Sequence, residues 1–219
     1  AIITGATGMV GEGVLHECLL NEDVESVLVI NRRPCKVFHS KLKEIILDNF
    51  QDYSNIEDKL VGYNAAFLCM GVSSVGMPGD EYFHITYELT LALARTLSKL
   101  NPGLTLCYIS GLGTDSSERG RINWARVKGR TENELIQLFP NKAFMFRPAY
   151  IQPTKGLQHT YKTYKVLGVL YPVWKFLFPK YVSKLSEIGL AMINVSKSGF
   201  NKTVLESKDI IELAHQTRR

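Results

Sequence analysis

The 219-residue sequence lacks the features that mark secreted or metal-binding proteins. Its four cysteines form no C-x-x-C pair, and no Cys/His spacing is typical of a zinc site. We expect no signal peptide, because the sequence opens directly on a strand-like run, Ile2–Thr4. Unpaired cysteines indicate a reducing compartment. We therefore expect a cytoplasmic protein without a bound metal.

Long apolar runs are also missing. The longest candidate, residues 166–178, is interrupted by Pro172 and Lys175, so it is too broken to span a bilayer. The net charge of +5 is modest, and no clustered basic stripe accompanies it. This excludes nucleic acid as the expected partner and suits anionic small molecules.

One segment, residues 161–181, is rich in aromatic side chains interspersed with lysines. That composition is compatible with a membrane interface or a groove for a protein partner. It is equally compatible with an aromatic cap over a substrate pocket. The proline and the scattered lysines break any clean amphipathic helix, so we expect packing on the protein.

Apolar runs of strand length alternate with longer helical patterns along residues 1–150. This alternation predicts a doubly wound, Rossmann-type parallel sheet of the α/β class. Residues 151–219 are predicted to form a short substrate-side cap in the same domain, with helices near 184–195 and 209–216. The predicted strands are 2–4, 27–30, 44–47, 65–70, 104–109 and 143–146, and the predicted helices before the cap are 8–20, 82–100 and 123–139.

A glycine-rich turn joins the first strand to the first helix, with the spacing G-x-x-G-x-x-G. Gly5 permits a tight turn, Gly8 lets the backbone approach a pyrophosphate, and Gly11 lets the helix pack closely. Free N–H groups and the positive helix end then face the phosphates. The residues between the glycines that we expect to contact the cofactor are Thr7, Met9 and Val10.

The second predicted strand ends in Asn31, Arg32 and Arg33. A site that selects NAD usually has Asp or Glu here for the ribose 2′-hydroxyl. Arginine instead pairs with a 2′-phosphate, so we expect NADP(H), with NAD(H) the less favoured cofactor. The alternative is that the arginines are solvated surface residues. Asp48, after the third strand, lies either near the adenine or in an ordinary turn.

Together these residues resemble the extended and atypical branches of the short-chain dehydrogenase/reductase superfamily. The likeness is closest to proteins described as nucleoside-diphosphate-sugar epimerase-like or NmrA-like, and it covers residues 1–150. It implies that Cys69, Met70 and Gly71, after the fourth strand, pass close to the cofactor. It also implies a Ser, Tyr and Lys catalytic set.

Two members of that set are present. Ser110 follows the fifth strand, and Lys128 on the next helix matches the lysine that would also hold the nicotinamide ribose. The tyrosine position, four residues before the lysine, is Trp124. An indole N–H donates a hydrogen bond but cannot transfer a proton as a phenol does. The candidate substitutes are Tyr82, His84, Tyr87 and Tyr108, and the family's asparagine is matched only by Thr86.

Two hypotheses follow for function. The first is an NADP(H)-dependent oxidoreductase or epimerase-like enzyme that uses Ser110 and Lys128 on an unknown small molecule. The second is a redox-inactive NADP(H) sensor that acts through a protein partner, as Trp124 favours. We prefer the first because the family is mostly enzymatic, although fold alone does not determine function.

Overall fold

The structure is a computed structural model that describes residues 1–159 and 181–216. Seven strands form one sheet in the order β3-β2-β1-β4-β5-β6-β9, and every pair within it is parallel. The predicted fold class is confirmed. These strands are β1 (Ile2–Thr4), β2 (Val27–Asn31), β3 (Leu42–Ile46), β4 (Ala65–Leu68), β5 (Thr105–Ile109), β6 (Ala143–Arg147) and β9 (Val204–Glu206).

Helices cover both faces of the sheet. The helix predicted from residue 82 begins earlier, at Gly79, and contains one π-helical turn at His84–Glu88. A short 3₁₀ turn at Ser54–Ile56 precedes α2. The α-helices of the described residues are α1 (Met9–Leu20), α2 (Glu57–Leu60), α3 (Gly79–Phe83), α4 (Leu89–Leu100), α5 (Asn123–Leu138), α6 (Leu185–Ser198) and α7 (Ser207–Ala214).

The core lies on both faces of the central strands. Ile3 and Phe67 belong to the cluster that faces α1 and α6, whereas Ile2 and Ala66 belong to the cluster that faces α4. Alternate residues point to opposite faces of a strand. A strand buried on both faces therefore needs apolar residues at every position, which explains the continuous apolar runs in the sequence.

The chain reverses its direction of winding between β1 and β4. From β1 it proceeds to β2 and β3 on one side, and then returns to place β4 on the other side of β1. In open parallel sheets, ligands bind beyond the carboxyl ends of the strands at such a switch point. The loops after β1, β2 and β4 therefore define where a dinucleotide would lie.

The described part of residues 151–219, which was predicted to be a cap, also contributes a strand and helices to the core of the domain. Strand β9 completes the main sheet beside β6, and α6 packs directly on α1. Two glycines allow that approach: a Cβ at Gly13 would lie 2.3 Å from Leu185, and one at Gly189 would lie 2.7 Å from Glu17. Residue 150 is therefore not a boundary between core and cap.

A second, two-stranded parallel sheet lies outside the main one. It joins β7 (Tyr150–Gln152) to β8 (Val182–Lys184). Within residues 1–159 and 181–216, no helix is long and apolar enough to cross a membrane. The same residues contain no group of three His, Cys, Asp or Glu side chains placed to hold a metal ion.

Candidate functional site

The turn after β1 is held against the turn after β4. Gly5 has a positive φ of 72°, which favours glycine. A Cβ at Gly5 would lie 2.6 Å from the carbonyl oxygen of Cys69 and 2.8 Å from the backbone nitrogen of Met70. The structure thus brings together two of the predicted cofactor loops. Cys69 itself is buried, Met70 is half-buried and Gly71 is exposed.

The first turn of α1 leaves room for an anionic group. A Cβ at Gly11 would lie 2.1 Å from the carbonyl oxygen of Gly5, so this glycine lets the helix pack on the loop. Gly8 caps the helix without a side chain, and a Cβ there would meet only the Gly5 oxygen, at 3.4 Å. The first N–H groups of a helix have no intrahelical partner, so those of Met9 and Val10 suit a phosphate. The cradle therefore fits a dinucleotide pyrophosphate.

At the end of β2, the predicted residue Asn31 contacts a residue of β3 that the sequence did not reveal, Glu44. Asn31 is buried, and its Nδ2 donates to Oε1 of Glu44 at 2.8 Å. The backbone N–H of Cys35 donates to the same oxygen at 2.9 Å. Glu44 lies on the edge strand β3, where a charged residue is unremarkable by itself. Only strand pairing shows that it reaches Asn31.

The two predicted 2′-phosphate ligands, Arg32 and Arg33, are exposed on the turn between Asn31 and Cys35. Asp48, after β3, is also exposed. All three therefore follow the carboxyl ends of β2 and β3, at the edge of the sheet that bears the glycine cradle.

Ser110 lies at the carboxyl end of β5 and is buried. Its Oγ is 2.7 Å from Oγ1 of Thr114, and Thr114 in turn donates to the carbonyl oxygen of Gly111 at 2.8 Å. Because Thr114 has only one hydroxyl proton, Ser110 is the donor in the pair. Its lone pairs remain available to a ligand, and it keeps its bond to Thr114 while donating to a ligand only if Thr114 releases Gly111 and donates to Ser110 instead.

Lys128 approaches the same strand end from α5. Its Nζ donates to the carbonyl oxygens of Ile109 and Ser110 at 3.2 and 3.3 Å, and it lies 5.3 Å from the centre of the Tyr108 ring. Burial lowers the pKa of Lys128 to about 8, against a smaller opposing effect of the Glu132 carboxylate. Ser110 and Lys128 are therefore neighbours, as the resemblance implies.

Trp124 is half-buried one turn before Lys128 on α5. Its ring packs towards the loop that follows Ser110, because a Cβ at Gly113 would lie 3.4 Å from the indole Cη2. The indole thus occupies the side of α5 that faces the Ser110 loop. No phenol stands at this position.

The four candidate substitutes for the missing tyrosine are already engaged or buried. Burial raises the pKa of Tyr108 and of Tyr82, which disfavours ionisation of either phenol. Tyr87 donates to Glu134 at 3.0 Å, and the half-buried His84 pairs with Glu88. Each candidate substitute is therefore either buried or already hydrogen-bonded to a carboxylate.

Thr86, the match to the family's asparagine, is buried in the π-helical turn. The predicted cap segment, residues 161–181, lies outside the described residues except for Tyr181, which is exposed. The chain just before it is anchored to α1: the N–H groups of Gln158 and His159 each donate to Glu12 at 2.7 Å.

A sizeable cavity lies elsewhere in the described residues. It measures about 760 Å³ and opens beside Ala1, Ser26 and Asn64, which precede β1, β2 and β4. It therefore lies at the amino-terminal edge of the sheet, opposite the glycine cradle. Since dinucleotides bind at the carboxyl edge in this architecture, we do not assign it to a cofactor.

A glycine cradle at the switch point of a parallel sheet, with a lysine and a serine at the next strand ends, defines a Rossmann-type dinucleotide-binding protein. The chain belongs to the NAD dependent epimerase/dehydratase family, whose model matches residues 1–115. The predicted relationship to epimerase-like short-chain dehydrogenases is confirmed.

Among curated proteins, the chain is similar to Protein FMP52, mitochondrial, of Meyerozyma guilliermondii. The two are 24% identical over 199 residues, which covers 88% of this chain and 83% of that protein. It is also 28% identical over 140 residues to Leucinostatins biosynthesis cluster protein T of Purpureocillium lilacinum, covering 63% of this chain and 51% of that one.

Solved structures show the same architecture. The Bordetella bronchiseptica enzyme WbmF, in complex with NAD+, has a TM-score of 0.67 at 14% identity, covering 97% of this chain and 75% of that one. UDP-glucose 4-epimerase of Thermotoga maritima, with UDP-glucose, has a TM-score of 0.66 at 14% identity, covering 97% and 80%. These likenesses establish the shared fold.

The prediction of a cytoplasmic protein is wrong. Three curated relatives, from Meyerozyma guilliermondii, Candida glabrata and Kluyveromyces lactis, are each named as mitochondrial. The physical reason for the error is that unpaired cysteines indicate only reducing conditions. They do not distinguish one such compartment from another.

Proposed function

We propose that this chain is an NADP(H)-dependent oxidoreductase of the epimerase/dehydratase type, acting on a small molecule. The observation that carries the proposal is the cradle at the start of α1, where Gly5 and Gly11 allow contacts that no Cβ would permit and Gly8 leaves the helix end open. That shape leaves the first N–H groups of α1 accessible to a pyrophosphate, which supports the cofactor assignment.

The preference for NADP(H) over NAD(H) rests on Arg32 and Arg33. Both guanidinium groups are exposed beside the end of β2, where an acidic side chain would favour the 2′-hydroxyl of NAD. The carboxylate that does lie here, Glu44, accepts hydrogen bonds from Asn31 and Cys35.

The test is calorimetric titration of the protein with NADPH and with NADH. A charge-assisted contact to the 2′-phosphate contributes about 1.5–3 kcal/mol, so NADPH should bind roughly ten- to a hundredfold more tightly. The double variant Arg32→Ala/Arg33→Ala should lose most of this difference and keep its NADH affinity. Equal affinities in the parent would overturn the preference, and binding of neither would overturn the cofactor assignment.

Lys128 and Ser110, which lie beside the proposed nicotinamide position, are suited to binding the cofactor ribose and a substrate oxygen. A bound nicotinamide supplies two-electron oxidation or reduction. Lys128 has one N–H left after its bonds to Ile109 and Ser110, and that N–H is available for a ribose hydroxyl. Ser110 can orient a substrate oxygen once Thr114 donates to it rather than to Gly111.

A second candidate function is a redox-inactive NADP(H) sensor that reports cofactor state to a protein partner. One observation favours it: Trp124 stands where the proton-transferring tyrosine would be, and its indole has no acidic proton in the useful range. In this case the parent would bind NADPH and show no turnover.

The names of the curated relatives support a mitochondrial location for this protein.

A further inference from the structure

We infer that Glu44 is a positioning residue that determines the preference for NADP(H) by anchoring the turn that bears Arg32 and Arg33. This inference rests on the proposed function, because it concerns the same 2′-phosphate site. Glu44 belongs to β3, and in the sequence nothing connects it with residues 31–35.

The anchoring is direct. One carboxylate oxygen, Oε1, accepts hydrogen bonds from Nδ2 of Asn31 and from the backbone N–H of Cys35. These two donors stand immediately before and after Arg32-Arg33-Pro34. A single acceptor therefore closes the turn at both ends.

Glu44 is itself exposed on the edge strand β3, but the two donors whose hydrogen bonds it accepts belong to buried residues. Asn31 and Cys35 are buried, whereas Arg32, Arg33 and Pro34 between them are exposed. The Asn31 Oδ1 is buried without a hydrogen-bond partner among the described residues. Its amide is therefore held in place by Glu44 through Nδ2.

Without this acceptor the turn would lose its shape. Nδ2 of the buried Asn31 and the N–H of the buried Cys35 would both lose their acceptor. Lys36, which follows, has a positive φ of 56°, so the chain already leaves the turn in a conformation that is unfavourable for a non-glycine residue. Arginines on a loose turn must be ordered when they bind a phosphate, and ordering costs affinity.

Two substitutions separate position from charge. In Glu44→Gln the side-chain carbonyl oxygen still accepts both bonds while the negative charge is lost. In Glu44→Ala both the charge and the acceptor are lost. Glu22→Ala removes an equal charge from an exposed position and serves as the control.

Each protein is titrated with NADPH and NADH, and amide hydrogen exchange is measured at Cys35. We expect Glu44→Ala to weaken NADPH binding by about tenfold, to leave NADH affinity nearly unchanged and to accelerate exchange at Cys35. Glu44→Gln and Glu22→Ala should behave as the parent does, so the conservative variant retains both readouts.

Three other outcomes overturn the inference. If Glu44→Ala keeps the parent's NADPH preference while Arg32→Ala/Arg33→Ala loses it, the cofactor proposal stands and the role of Glu44 is wrong. If Glu44→Gln binds NADPH more tightly than the parent, Glu44 acts through its charge. A parent without any NADPH preference defeats the proposed preference and the role of Glu44 together.

Discussion

Lys128 has a strongly lowered pKa, and its Nζ donates a hydrogen bond to the carbonyl oxygen of Ser110. Its pKa is about 8 in the folded protein and close to 10.5 when unfolded. Between these values the unfolded chain binds more protons, so stability should rise as pH increases from about 8 to 10.5 and should be lost as pH falls through that window. The full difference is at most about 3 kcal/mol.

This prediction is checked by urea unfolding of the parent and of Lys128→Met across that pH window. The variant removes the charged form that burial disfavours, so its advantage over the parent should be largest below pH 8 and should shrink towards pH 10.5. A difference that stays constant with pH would mean that Lys128 titrates normally.

Trp124 gives the second prediction at the scale of a single residue. Trp124→Tyr would place a phenol one helical turn from the Lys128 ammonium, which favours its ionised form. General acid catalysis contributes about a hundred- to ten-thousandfold, so NADPH oxidation with a panel of aldehydes, ketones and quinones should increase. Trp124→Phe has the same ring as the tyrosine variant but no hydroxyl, so it is the control and its rate of NADPH oxidation should not increase.

A parent that already reduces these substrates briskly would mean that another group supplies the proton. A silent Trp124→Tyr variant with unchanged NADPH affinity would favour the sensor function.

Gly8 and Gly11, where β1 is joined to α1, should have different roles, one in cofactor binding and one in stability. Gly11→Ala should destabilise the fold by more than about 2 kcal/mol, because its Cβ would collide with the backbone of Gly5 at 2.1 Å. Gly8→Val should fold, since its Cβ meets one atom at 3.4 Å, but it should lose NADPH binding because the side chain fills the helix end.

Thermal unfolding and NADPH titration of both variants distinguish these effects. A folded Gly8→Val that binds NADPH like the parent would show that the phosphates lie elsewhere.

For the whole molecule, residues 181–216 should be indispensable to folding. They supply the seventh strand and helix α6, and they bury many large apolar side chains against the core, each contributing about 1.5–3 kcal/mol. Losing the burial of all these side chains would remove at least as much free energy as the whole free energy of unfolding of a domain, which is about 5–15 kcal/mol. These side chains are Leu185, Ile188, Met192, Ile193, Val195, Leu205, Ile210 and Leu213.

Truncation after residue 180 should therefore yield a protein without cooperative unfolding by circular dichroism. A soluble, cooperatively folded truncation product would show that residues 181–216 are not needed for folding. The 219-residue chain, purified in parallel, is the control.

The sequence by itself determined most of the fold and part of the site. Strand β4 and helix α5 were predictable because continuous apolar runs and 3.6-residue periodicity reflect local geometry and burial. The glycines at 5, 8 and 11 were predictable from their spacing between a strand and a helix, whereas the close approach of Gly5 to Cys69 and Met70 appears only in the folded chain.

Tertiary structure decided what depends on pairing between distant segments. Strand β9 has only three residues, too few to give a periodic pattern, and its place beside β6 follows from burial of Leu205 and its neighbours in the core. Glu44 looks like any charged residue on an edge strand until β3 pairs with β2 and brings its carboxylate to Asn31 and Cys35. Hydrogen-bond partners far apart in the chain have no local pattern, so only the folded arrangement identifies them.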